Sequence, residues 1–113
     1  MTADGPSNVE AQARELLARA QGAPSGRAAH MLRGGPGSHL TQTVIALRAG
    51  ASLAEHQNPG EATVLVLDGQ VRLVAGDQTW PGGRGDLIDV PASRHSLEAD
   101  ADSVVMLTAV KRV

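Results

Sequence analysis

Apolar residues fall into two textures along the chain. Between Val9 and Ala20 they recur at helical spacing, as Val9, Ala13, Leu16, Leu17 and Ala20, with Gln12, Arg14, Glu15 and Arg19 off the stripe. So narrow a stripe predicts a helix over residues 8–20 that lies on a surface. Ser7-Asn8-Val9-Glu10 reads as a capping box ahead of it, and Gln21-Gly22 as its stop. Gly22 to Gly26 then forms a short linker, so residues 1–26 make a helix and linker that pack either on their own domain or on a second subunit.

From Arg27 the period shortens, and brief apolar runs are cut by Gly, Pro and Asp. This is the pattern of an antiparallel sandwich or barrel over residues 27–113. Strands are predicted at Ala28–Leu32, Leu40–Arg48, Ala62–Leu67, Gln70–Ala75, Gln78–Trp80, Asp86–Val90, His95–Ala99 and Val104–Lys111. Asp68-Gly69 and Gly76-Asp77 read as hairpin turns, since both pairs tolerate a left-handed corner. No unit repeats at a fixed period, which excludes a solenoid. The runs Val64–Leu67 and Val104–Val110 are apolar on both faces and need cover on both sides. One face closes on the interior, and the other meets a neighbouring sheet or a partner chain, so a homodimer is expected.

Composition narrows the function classes. The 113 residues suffice for one domain with one core. There is no cysteine, which removes disulfides and thiolate metal sites and suits a reducing cytoplasm. A formal charge of −2 gives no electrostatic grip on nucleic acid or an anionic membrane surface. No apolar run approaches a membrane span and no signal pattern opens the chain, so a cytoplasmic location is expected. With one Trp and neither Phe nor Tyr, the core must be aliphatic. Trp80 itself reads as a hairpin cover, and Glu98, Asp100 and Asp102 as a solvated acidic turn.

The candidate chemistry gathers in the stretch from Gly50 to Gly69, where a loop carrying His56 and Asn58 runs into the most apolar strand. This stretch resembles the first motif of the cupins, in which a glycine, five residues, His-x-His, a carboxylate and a later glycine build a metal site in a small β-barrel. Gly50, His56 and Gly69 match, while Asn58 stands where the second histidine belongs. Counting back from Gly69, the carboxylate position falls on Ala62. Glu61 is one residue out of register and faces the other way. Gly85-Asp-Leu-Ile-Asp-Val-Pro91 resembles the opening of the second cupin motif, and His95 follows on a loop one residue shorter than the family's, with Ser93 in place of a glycine.

The resemblance spans about Thr41 to Val110 and implies a mainly β fold: a cupin-type antiparallel β-barrel, or jelly roll, with one N-terminal α-helix. It also implies a site in which His56 and His95 approach each other in the barrel mouth. Together they would hold a divalent transition metal (Fe, Mn, Ni, Cu or Zn), with Asn58 or His39 as a weak third ligand, or else be neutral hydrogen-bonding lining. Arg94, beside His95, is a candidate for an anionic ligand group. Three readings stay open. The first is a small-molecule binding cupin whose aliphatic pocket carries His56, Asn58, His95 and Arg94. The second is a metal-dependent enzyme of the dioxygenase or isomerase type, and the third a structural or regulatory dimer with a filled barrel.

Overall fold

The structure is a computed structural model that describes residues 5–56 and 60–111, the side chain of His56 excepted. Helix α1 (Val9–Gly22) is followed by β1 (Arg27–Arg33), β2 (Leu40–Leu47), β3 (Ser52–His56), β4 (Glu61–Asp68), β5 (Gln70–Ala75), β6 (Gln78–Gly83), β7 (Leu87–Asp89), β8 (His95–Ala99) and β9 (Ser103–Val110). The strands form two antiparallel sheets, ordered β1-β2-β9-β4-β7 and β3-β8-β5-β6. They pack face to face as a jelly-roll sandwich, and among the described residues no hydrogen-bonded ladder joins one sheet to the other.

Strict alternation decides what each strand buries. In β4, Ala62, Val64 and Val66 point inward while Glu61 and Thr63 face out, and in β5 Val71, Leu73 and Ala75 point inward. With Ile45, Leu47, Leu97 and Val105 they fill an all-aliphatic core between the sheets. A second cluster lies on the outer face of the larger sheet, where Leu16 and Ala20 of α1 meet Val44, Ala46 and Val104. The two-sided apolar strands are therefore covered in part by the chain's own helix, which packs on its own domain.

Both ends of that helix are fixed. Asn8, one residue later than the capping-box reading, is the N-cap, and its side-chain oxygen accepts from Ala11 N at 2.8 Å. Ser7 instead accepts a hydrogen bond from Arg33. At the other end Arg48 Nη1 donates to the carbonyls of Gln21 and Ala23, which places a cation against the negative end of the helix dipole. Asp102 accepts from Ala49 N at 2.8 Å and from the Gln21 amide. First the Ala49 bond, then the Gln21 bond, and then nearby Arg48 hold its carboxyl below the usual carboxylate value. The depressed value means that Asp102 favours the fold at neutral pH and that this contribution disappears as acidification protonates it. The acidic turn is thus a tie between helix and sheet. Asp100 and Glu98 likewise pair with Arg72.

Two expectations about the chain path need correction. The stretch before His56 is not a loop: Ser52-Leu-Ala-Glu-His56 forms β3, an edge strand read over because its apolar content is low. Asp68-Gly69 is not a hairpin turn either, because β4 and β5 belong to different sheets. It is a corner, at which Gly69 takes φ +95° directly over β9. A Cβ on Gly69 would overlap Ser103 Oγ and the Asp102 carbonyl. Buried Ser103 accepts there from Gln70 N and donates to Ala101 O. Gly76-Asp77 does close a two-residue hairpin, between Ala75 and Gln78, with Gly76 at φ +58°.

Gly69→Ala should lower unfolding free energy by about 3 kcal/mol, more than the ~1–2 kcal/mol that a left-handed backbone alone costs an L residue. Urea denaturation measures this, and a loss under ~1 kcal/mol would show that the corner relaxes freely. Leu16 is 1% exposed. Leu16→Asp should cost roughly 3 kcal/mol by placing a charge in an aliphatic contact; an unchanged melting temperature would mean that α1 does not dock.

Candidate functional site

Strand β8 sends His95, Leu97 and Ala99 to the interior and Ser96 and Glu98 outward. His95 thereby becomes a buried polar residue, 3% exposed, at one end of an aliphatic wall. Its Nδ1 lies 3.0 Å from the Ser93 carbonyl. A carbonyl only accepts, so Nδ1 carries the proton, and in the neutral ring the lone pair resides on Nε2. The short Pro91-to-His95 loop sets this geometry, since it turns the Ser93 carbonyl back onto the ring.

The β3/β8 register places His56 opposite His95, after an irregularity that begins at Leu53. The two histidine positions expected to approach one another therefore share one ladder. The side chain of His56, and Asn58 altogether, lie outside the described residues. Ala62, not Glu61, takes the inward position on β4, as the register count required, and exposed Glu61 lies opposite Val110 on the outer face. His39 is exposed just ahead of β2, where its carbonyl accepts from Lys111 N. Arg94 is exposed and pairs with Glu55 of β3 at 3.0 Å, on the outside of the wall.

Around His95 the interior is nearly full. A cavity of about 20 Å³ remains, bounded by Ile45, Leu53, Val64, Leu73, Val90, His95, Leu97, Val105 and Leu107. That is room for roughly one water molecule. His95 is the only polar side chain among those residues. Leu53, on β3, belongs to this wall, and the irregularity between Leu53 and His56 breaks the alternation that would have marked it in the sequence. A far larger groove, about 510 Å³, opens on the outer face between Glu61, Thr63, Asp89, Thr108 and Val110, and His95 is not part of it.

The profile of the cupin domain matches residues 43–111, more than half of the chain. This protein belongs to the cupin family. Its fold is similar to that of a conserved Streptococcus pyogenes protein of unknown function, with 26% identity, a TM-score of 0.72, and 80% of this chain and 79% of that one covered. A cupin superfamily protein from Desulfitobacterium hafniense gives a TM-score of 0.70 at 17% identity, over 76% of this chain and 78% of the other. A salicylate 1,2-dioxygenase from Pseudaminobacter salicylatoxidans gives 0.73 at 21% identity, over 88% of this chain and only 33% of that protein. At such identities the last two similarities concern the fold. No protein of curated function matches the sequence.

Cupins often bind metals in this part of the barrel, so the donor set matters. Among the described residues no three His, Cys, Asp or Glu side chains come together to hold an ion. Among the described residues the interior offers one imidazole, His95, in an aliphatic cavity, with Ala62 at the carboxylate position; the other two expected donors, His56 and Asn58, lie outside the described side chains. Nor is any helix among the described residues long and apolar enough to cross a membrane.

Nitrogen-15 long-range spectra should show His95 carrying a proton on Nδ1, directed at the Ser93 carbonyl. The opposite tautomer would mean that the Ser93 carbonyl does not orient the ring.

Proposed function

We propose that this cupin is a binding module for a small polar molecule that enters from the His95 end of the barrel and uses a reduced set of polar contacts. The observation that carries the proposal is His95 itself. A nearly fully buried imidazole in an aliphatic wall has a desolvation cost that a leucine of similar volume would avoid. Stability alone gives little reason for it, whereas recognition does. His95, its Nδ1 held by the Ser93 carbonyl, is the one polar side chain among the described residues that borders the interior cavity, and in this reading a polar group of the ligand meets its ring there. In this reading His56 and Asn58 supply further polar contacts at the mouth, and Arg94 joins only by leaving Glu55. The interior holds about one water-sized group, so entry of a ligand requires Leu53 or Val90 to move.

That same filled interior supports a second reading, a structural or regulatory cupin whose barrel is simply core. A metal-dependent enzyme of the dioxygenase or isomerase type is the third, and it needs His56 and Asn58 to complete the donor set that His95 begins. His95→Leu separates them. If the first reading is right, the variant keeps or raises the melting temperature and loses the saturable imidazole shifts that small hydroxy acids and polyols induce in the wild type. No such shifts, together with a destabilised variant, would support the filled barrel instead. Near-stoichiometric transition metal in protein purified without a histidine tag would support the enzyme.

A homodimer is proposed with either of the first two readings. Leu40 and Val110 are paired in register and exposed on the outer face of the larger sheet, beyond the reach of α1. Light scattering at micromolar concentration should give twice the chain mass for the wild type, and the single mass for a variant combining Leu40→Glu and Val110→Glu. A monomeric wild type would remove the proposal.

A further inference from the structure

The two sheets come together tightly on one flank and part just below it. β6 and β7 are edge strands of different sheets. Where they meet, Gly82 lets β6 approach so closely that a Cβ would lie 2.8 Å from Ile88 Cδ1 and 3.3 Å from Val66 Cγ2. Two residues before Gly82, on the same face of β6, stands Trp80, half-buried against the inter-sheet core. The result is a wedge of about 410 Å³ with Trp80 as one wall and Leu87, Ile88, Asp89, Val90 and Pro91 as the other. Its volume lies within the range of small-molecule sites.

The lining has a specific chemistry. Trp80 is the only residue of the chain among Phe, Trp and Tyr, and it is half-buried where it borders the wedge. Leu87 is 63% exposed and stands beside Asp89 on the outer side of β7, while Ile88 between them is buried. Asp89 is the only charged lining residue. It points away from the core, opposite Thr63, and belongs to no ion pair among the described residues. The acidic character continues past it, because Glu61 lines the adjoining groove that Asp89 also borders. Arg72, on the strand next to β6, already pairs with Glu98 and Asp100, and Arg94 with Glu55, so neither is free to neutralise the wedge.

We propose that this wedge binds a small organic cation, an alkylammonium group held against the face of Trp80 with Asp89 as its counter-ion. An indole attracts a cation through its quadrupole more strongly than the other aromatic rings do. Leu87, Val90 and Pro91 supply contact for the alkyl substituents, and a carboxylate at the rim gives the sign preference. The wedge shares Val90 with the His95 cavity and none of its other lining residues, and the proposal does not depend on the function proposed there.

Having a single fluorophore makes the test direct. Choline is titrated into the full chain at constant ionic strength while Trp80 emission is followed, and 3,3-dimethylbutan-1-ol, its uncharged analogue of the same shape, serves as control. The expected result is a saturable change with choline and at least about tenfold weaker binding of the alcohol. Asp89→Asn, an exposed substitution that leaves the core intact, should weaken choline about fivefold or more without altering the response to the alcohol. Trp80→Leu, followed through the Val90 methyl resonances, should abolish the preference for charge. Equal binding of the two probes would reduce the wedge to a plain apolar crevice and overturn the proposal. So would the absence of any saturable response to choline in the wild type, or an Asp89→Asn variant that binds choline unchanged.

Discussion

The structure depends on the burial of β9 on both faces. Val105 and Leu107 belong to the core between the sheets, while Val104 and Met106 belong to the layer beneath the helix. Where a strand is buried on both sides, as β9 is from Ser103 to Val105, it must satisfy its backbone groups by ladder pairing, since water reaches neither face there. β9 does this between β2 and β4. One strand thus holds two hydrophobic layers in register, and a slip of one residue would exchange Val104 for Val105 and mis-pack both at once.

This arrangement accounts for what the sequence disclosed. Strands whose alternation was clean, such as Val71-Arg-Leu-Val-Ala75, were readable because burial is decided locally by period. β3 was not, because Ser52-Leu-Ala-Glu-His56 carries a single large apolar side chain and is fixed by pairing with β8 rather than by its own composition. The Asp68-Gly69 corner misled for a related reason. A left-handed glycine marks a change of direction, and only tertiary structure determines whether the next strand returns beside the last or crosses to the other sheet. Arg48 and Asp102, far apart in sequence, carry no local signal of the helix clamp they build.

The candidate site divides along similar lines. His95 as an inward residue follows from the alternation of β8, and the exclusion of Glu61 follows from counting two residues per repeat along β4. The tautomer of His95 does not follow from sequence, because it depends on how a short loop aims one carbonyl. Trp80 is the clearest case of a role hidden from sequence. In the chain it looks like cover for a hairpin, and in space it stands where two edge strands diverge.

The order of strands along the chain also matters. β9, on which both hydrophobic layers rely, is synthesised after all the other strands, although it occupies the middle of its sheet. Until it emerges, β2 and β4 have no common partner, and α1 has only part of the surface it will cover. A growing chain therefore exposes two unpaired strand edges and two aliphatic faces from the completion of β4 until β9 is made, and it completes both layers in one late step. Non-local pairing of this kind favours slow, all-or-none folding and a need for protection against aggregation while the chain is incomplete.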